Sequence, residues 1–167
     1  MLFRSGYYGK VQLNDTLGYS PCTSCPMNYY CNGGNQISVC PPGTMSAPNS
    51  VLSGCITCPL DLFCYNGQIG SCPVNSKAPQ GSSSISACVC NPGYYGLNGD
   101  CTLCEVGFYC PGGAIRLACT DNAISTLGSY ASWQCFCSRG YYSLNNTPCT
   151  VCPEGYWCWT EIGRAHV

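Results

Sequence analysis

Apolar positions along this chain come as isolated pairs rather than as faces. Tyr7-Tyr8, Tyr29-Tyr30, Tyr94-Tyr95, Phe108-Tyr109, Tyr141-Tyr142 and Tyr156-Trp157 are each bounded by Gly, Asn, Ser or Cys. No segment holds a helical apolar period over ~11 residues. Runs this short between turn formers predict small two-stranded antiparallel hairpins in a chain that is mostly coil, with no substantial helix.

The pairs belong to a repeat. A C-x2-C-x5-C block starts at Cys22, Cys55, Cys101 and Cys149, with two bulky residues before its last cysteine; in the second block they are Leu62-Phe63. A small-residue turn leads to Cys40, Cys72 or Cys119, and a Ser/Gly/Asn-rich loop then closes at Cys55, Cys88 or Cys135. "GSSSIS" (81–86) lies inside the second of these loops, so it reads as loop and not as linker. Two units insert an extra C-x-C, Cys88-Val89-Cys90 and Cys135-Phe136-Cys137, followed by Gly-Tyr-Tyr. The blocks partition the chain into 1–54, 55–100, 101–148 and 149–160, the first and last incomplete.

Composition explains how such a chain folds. Of 167 residues, 19 are cysteine, while Leu, Ile, Val and Phe together number 30. That is too few aliphatics for an ordinary core and enough cysteine for a disulfide scaffold. Net charge is only −1, so the low hydrophobicity does not signal disorder. Bridges of this density persist in oxidising compartments, which places the chain outside the cell or in a lumen. "MLFRSGYYGK" has no apolar signal-peptide core. No apolar run reaches the ~18 residues of a membrane span. The repeats suggest a fragment of a larger secreted protein.

One pairing rule serves every repeat: neighbours in cysteine order bond. It gives Cys25–Cys31, Cys40–Cys55, Cys58–Cys64, Cys72–Cys88, Cys90–Cys101, Cys104–Cys110, Cys119–Cys135, Cys137–Cys149 and Cys152–Cys158. Cys22 is left unpaired, because Phe3 stands where Cys90 and Cys137 stand in the later repeats. Connectivity is not deducible from sequence alone, so crossed pairings within a unit stay open beside this scheme. After Cys158 the expected glycine is missing, and "EIGRAHV" reads like a translated sequencing adapter. Residues 161–167 are therefore expected to be a non-native tail without defined contact to the last repeat.

The residues that carry the repeat also carry a resemblance. "CPPGTMSAPNSVLSGCITCP" (40–59) resembles the ephrin-receptor-like cysteine-rich repeat and is similar to the first loop of tumour-necrosis-factor-receptor modules. "CVCNPGYYGLNGDC" (88–101) resembles the closing half of an EGF-like module. Together they are similar to the growth-factor-receptor cysteine-rich class, whose "GYYCxGG" versions are typical of very large extracellular proteins of algae and other protists. The resemblance covers residues 3–159. It departs at Phe3, at Glu105 in place of the block proline, and at "TDNA" (120–123) in place of PxGT. It implies extracellular architecture and adhesion; it does not imply a catalytic activity or a named ligand.

The chemistry of the remaining residues points the same way. Structural zinc uses paired C-x2-C or Cys/His sets, whereas each C-x2-C here is tied to a third cysteine, so no metal is expected. His166, in the suspect tail, is the single histidine, and Asp15, Asp61, Asp100, Glu105, Asp121 and Glu154 are scattered. No nucleophile–base pair, phosphate loop or redox helix can be assembled from them, so no catalytic residue and no cofactor is expected. Six basic residues spread singly do not make a nucleic-acid surface. Asn14 (NDT) and Asn145 (NNT) are N-glycosylation sequons. The aromatic pairs either cover disulfides and glycine turns or turn one ring outward for glycan stacking or subunit contact. The expected function is a non-enzymatic structural protein that self-associates into a filament, coat or matrix. The alternative is a ligand-binding receptor ectodomain. The expected fold is small and disulfide-rich, with tandem modules in an elongated array.

Overall fold

The computed structural model describes residues 5–9, 23–143, 148–158 and 165–166. It is a small disulfide-rich fold of coil and short antiparallel hairpins, with three single 3-10 turns as the helical content of the described residues.

One local unit generates most of it. Cys25, Cys40, Cys58, Cys72, Cys90, Cys104, Cys119, Cys137 and Cys152 are each followed by a four-residue turn in which the last N–H donates to the first carbonyl. Examples are Thr44 to Pro41 at 3.0 Å and Tyr94 to Asn91 at 3.0 Å. The third residue of the turn always has positive φ, from Asn122 at 60° to Gly93 at 88°. Only Gly, Asn or Asp fills it, because the left-handed region penalises a larger Cβ. Positive φ at this place is the signature of a type II turn. Segments 40–59 and 88–101 are thus built on the same cysteine–turn–strand device. Glu105 and "TDNA" keep the turn as well, with Asn122 taking the role of glycine.

The strand after each turn is short and pairs antiparallel. Tyr29–Tyr30 pairs with Ser38–Val39, Thr44–Met45 with Ile56–Thr57, and Tyr141–Tyr142 with Thr150–Val151. Longer hairpins join Leu62–Tyr65 to Gln68–Ser71 and Tyr94–Leu97 to Asp100–Leu103. Their two-residue turns are Asn66-Gly67 and Asn98-Gly99, all with positive φ, as a type I′ hairpin turn requires.

Among the described residues nine disulfides form: Cys25–Cys31, Cys40–Cys55, Cys58–Cys64, Cys72–Cys88, Cys90–Cys101, Cys104–Cys110, Cys119–Cys135, Cys137–Cys149 and Cys152–Cys158. Each joins neighbours in cysteine order and starts at a cysteine that precedes a turn. Short rings of separation 6 are set apart by one or two loops of separation 11 to 16. A loop of ~15 residues is stabilised by about 3 kcal/mol on chain-entropy grounds. Three of these loops end in the 3-10 turns Leu52–Gly54, Ile85–Ala87 and Ser132–Gln134, which deliver Cys55, Cys88 and Cys135 to their partners.

Sulfur forms the core. Among the described residues the buried apolar ones are Cys25, Cys31, Cys40, Cys58, Cys64, Cys88, Cys90, Cys104, Cys110 and Cys137, joined by Ala78. The chain divides into two compact units, 1–72 with 77–88, and 73–76 with 89–167. The division runs through the 55–100 repeat because the ring at Cys58 holds Gly81 and Ser82, whereas Asn75 accepts from Asn91 N–H at 2.8 Å.

One expectation is corrected. Backbone at Ala165–His166 pairs antiparallel with Trp157–Cys158, so the tail does touch the last repeat. A two-residue strand leaves an open edge of N–H and C=O groups, and an extended segment of any origin can pair with it. Phe3, Asn14, Asp15, Cys22 and Asn145 lie outside the described residues.

Candidate functional site

Three of the four short rings are hubs with a fixed set of hydrogen bonds. In the first unit, Gly6 N–H donates to Cys31 C=O at 2.8 Å, and Cys25 N–H donates back to Gly6 C=O at 3.0 Å. On the other side Asn49 N–H donates to Cys25 C=O at 2.8 Å, and Cys31 N–H donates to Ser50 C=O at 2.9 Å. The same four bonds recur at Gly43, Cys58, Cys64, Gly81 and Ser82, and in the second unit at Gly93, Cys104, Cys110, Gly128 and Ser129. The two turns close on the ring without slack. A Cβ on Gly6 would lie 2.5 Å from Asn49 O, and one on Gly93 2.8 Å from Gly128 O.

A buried hydroxyl completes two of the hubs. Ser46 Oγ donates to Tyr29 C=O at 2.8 Å and Ser125 Oγ to Phe108 C=O at 2.5 Å. Between them in sequence, Ala78 takes the corresponding place, and its N–H donates to Asp61 Oδ1 at 3.2 Å instead. The frame thus tolerates exchange of a side-chain bond for another, which the burial of polar groups requires.

With the frame fixed, the repeats differ at the crests of the long loops. After Ser50, Ser82 and Ser129 come Val51-Leu52, Ser83-Ser84-Ile85 and Tyr130-Ala131-Ser132. In the last of these, Gln134 Oε1 accepts from Tyr130 N–H at 2.7 Å and Ala131 N–H at 3.1 Å. That holds Tyr130 and Trp133 edge to face, with centroids 5.6 Å apart. In the middle loop the small crest borders a hollow of about 330 Å³ lined by Phe63, Tyr65, Ser83, Ser84 and Ile85. Variable crests on a rigid frame are where binding residues concentrate.

The described residues also hold a charged cluster. Glu105 Oε1 accepts from Tyr95 O–H at 2.8 Å and from Arg116 Nη1 at 3.0 Å. The Arg116 guanidinium lies 4.4 Å from the Phe108 ring centroid and 5.3 Å from that of Tyr95, in cation–π range. The Tyr95 hydroxyl chiefly holds the Glu105 carboxyl below its ordinary range, with help from its own backbone N–H and from Arg116. The cluster joins one acid to one base and brings no second carboxylate to them. Asp61 serves Ala78, Asp100 pairs with Leu97 in a hairpin, and Asp121 and Glu154 sit in exposed turns. Among the described residues, no three His, Cys, Asp or Glu side chains gather as metal ligands. No helix among them is long and apolar enough to cross a membrane.

The six aromatic pairs take neither extreme of the two expected placements. Tyr7, Tyr8, Tyr29, Tyr30, Tyr94, Tyr95, Phe108, Tyr109, Tyr141 and Tyr142 are all half-buried, and Tyr156 is exposed. Two rings do cover glycines: Tyr29 lies against Gly67, and Phe63 against Gly70. Sequence reasoning missed the hollow and the Glu105–Arg116 cluster. The available signal was Gly70, which replaces the Ser38 and Leu117 of the sister hairpins.

No family model matches the chain. It is similar to Cysteine repeat modular protein A of Toxoplasma gondii, 38% identical over 77 residues, which is 41% of this chain and 2% of that protein. The chain therefore spans about 2% of the length of the curated relative that it matches. The ephrin-receptor-like and EGF-like resemblances remain at the level of motifs, and what the nine disulfides and this relative carry is a cysteine-rich repeat of extracellular type.

Proposed function

We propose that this chain is a non-enzymatic structural module of a secreted cysteine-repeat protein, and that it associates with copies of itself into an extracellular filament, coat or matrix. The observation that carries this reading is the placement of apolar side chains. Cysteine takes the interior, and Leu60, Val74, Leu97, Leu127, Trp133 and Val151 face outward, 62 to 83% exposed. Few charges separate one copy from another; net charge near zero promotes association. Repeated patches make contacts that need not close and so propagate. Glycans at Asn14 and Asn145 belong to the same reading.

Sedimentation and electron microscopy of the oxidised, glycosylated chain test it. Concentration-dependent polymers are expected. A monomer that persists at high concentration and neutral pH overturns self-assembly. The second reading, a ligand-binding ectodomain, is favoured by the open hollow beside Phe63 and Tyr65.

A further inference from the structure

Phe63 and Tyr65 alternate with buried Cys64 along Leu62–Tyr65, so both rings stand on one face of that hairpin. Gly70 is the cross-strand partner of Phe63, and a Cβ there would overlap the ring. Glycine therefore lets the Phe63 ring lie across the hairpin. The sister hairpins pair Tyr30 with Ser38 and Tyr109 with Leu117. Opposite the rings, Ser83 occupies the place that Tyr130 takes in the 119–135 loop, and it leaves the space open.

The chemistry of the hollow is specific. Its five lining residues carry no charge. Tyr65 is 60% exposed. The Tyr65 and Ser83 hydroxyls make no hydrogen bond to the protein among the described residues. A fitting ligand is uncharged, has an apolar face for the two rings, and carries hydroxyls at its edge. A pyranose has this form: C–H groups on its face and hydroxyls around its rim. Apolar walls with a few placed polar groups are the general design of small-ligand sites, and aromatic rings supply the stacking area.

We propose that the hollow of Phe63, Tyr65, Ser83, Ser84 and Ile85 binds a neutral pyranose unit of an oligosaccharide. Phe63 and Tyr65 stack on the sugar face, and Ser83 and the Tyr65 hydroxyl bond its rim. This is independent of self-assembly, since it asks only that this loop and hairpin be exposed.

The test uses the full oxidised chain, isotope-labelled, titrated by NMR with maltotriose, mannotriose and N,N′,N″-triacetylchitotriose. A heparin-derived disaccharide and indole serve as charged and purely apolar comparators. At least one neutral trisaccharide is expected to shift the amides of 63–65 and 83–86 saturably. Tyr65→Ala is expected to weaken binding about tenfold. Ser84→Trp, which fills the hollow from an exposed position, abolishes it, while Leu97→Ala changes nothing. Peptide mapping verifies that each variant keeps its nine bridges, and Ser84→Trp decides the matter if Tyr65→Ala does not fold. No saturable shift from any trisaccharide overturns the proposal; so does indole binding without sugar binding, or a Tyr65→Ala chain with unchanged affinity. Enzymatic removal of N-linked glycans separates the sources. If it frees amides already shifted in the secreted protein, the sugar comes from the protein's own copies; if it changes nothing, the sugar is external.

Discussion

Cys104–Cys110 and Cys152–Cys158 close rings of equal length, separation 6, around the same turn. Both have glycine at the third turn position, Gly107 and Gly155, and an aromatic pair before the last cysteine. Yet Cys104 and Cys110 are fully buried, whereas Cys152 and Cys158 are half-exposed. One bond of the upstream clamp is common to both, since Cys104 N–H bonds Gly93 C=O at 2.9 Å and Cys152 N–H bonds Gly140 C=O at 2.8 Å. The larger difference lies downstream, where Gly128 and Ser129 complete the hub of the earlier ring at 2.9 Å each. Among the described residues nothing takes that place on the later ring. A ring's own residues fold it; the turn from the following loop seals it.

Removing the bridges is the largest test of that contrast. Loop length alone gives both rings the same entropic contribution, ~2 kcal/mol. The sealed ring adds the cost of cavities left in a packed hub. We expect Cys104→Ala with Cys110→Ala to cost about 4 kcal/mol, and Cys152→Ala with Cys158→Ala about 2 kcal/mol. Urea unfolding read by near-UV circular dichroism gives both, and equal losses would erase the distinction.

The paired glycines come next. Gly93 and Gly140 have nearly the same φ, 88° and 86°, so alanine suffers the same backbone strain of ~1 kcal/mol at each. Only at Gly93 would the new Cβ meet a carbonyl, Gly128 O at 2.8 Å, whereas Gly140 has no described atom within 4 Å. Gly93→Ala is expected to cost about 3 kcal/mol and Gly140→Ala about 1 kcal/mol, measured by the same denaturation.

A smaller effect concerns the hydroxyl inside the sealed hub. Ser125, 1% exposed, donates to Phe108 C=O and accepts from Gly107 N–H at 3.1 Å. Ser125→Ala leaves both groups short of a partner and is expected to cost ~1–2 kcal/mol. A silent substitution would mean that water replaces the hydroxyl and that the hub is less closed than its geometry.

The smallest effect is the pH response of the Glu105 cluster. The folded carboxyl titrates below its ordinary 4.5, chiefly through the Tyr95 hydroxyl. A lowered acid stabilises the fold above its unfolded value, and that contribution is lost as pH falls through the folded value. Cooling of the melting temperature between pH 5 and pH 2 is therefore expected to be slightly larger in the natural chain than in Glu105→Gln. Identical profiles would show that solvent screens this exposed cluster entirely.

Much of this architecture was legible because cysteine spacing is discrete. The order of short rings and long loops, and the hairpins after each turn, follow from C-x2-C-x5-C and from Gly, Asn or Asp three residues past a cysteine. The hubs were not legible, since Gly93 meets Gly128 across 35 residues of chain through backbone atoms that any sequence supplies. Nor was the hollow, which depends on the absence of side chains at Gly70 and on the smallness of Ser83. Arg116 and Glu105 meet because their strands and turn converge, and their separation of 11 residues matches no local helix or strand rule. Two-residue strands also carry too little pattern to exclude pairing by an unexpected segment, as Ala165–His166 showed.

The serial bridges have a mechanical meaning. Tension applied along an oxidised chain passes through sulfur at every ring, and the loops inside Cys40–Cys55, Cys72–Cys88 and Cys119–Cys135 are bypassed as stored slack. What can lengthen are the links between bridges: the short ones at 55–58, 88–90 and 135–137, and the hairpin-bearing ones at 31–40, 64–72 and 110–119. A single-molecule pulling trace is thus expected to show a bounded extension in oxidising buffer, as the hairpin links open, and to gain further length in discrete steps once a reductant opens the loops; release of the loop contour before reduction would contradict it. Such a tether would bear load between anchored surfaces at a bounded strain and would release its remaining slack only on a change in redox conditions.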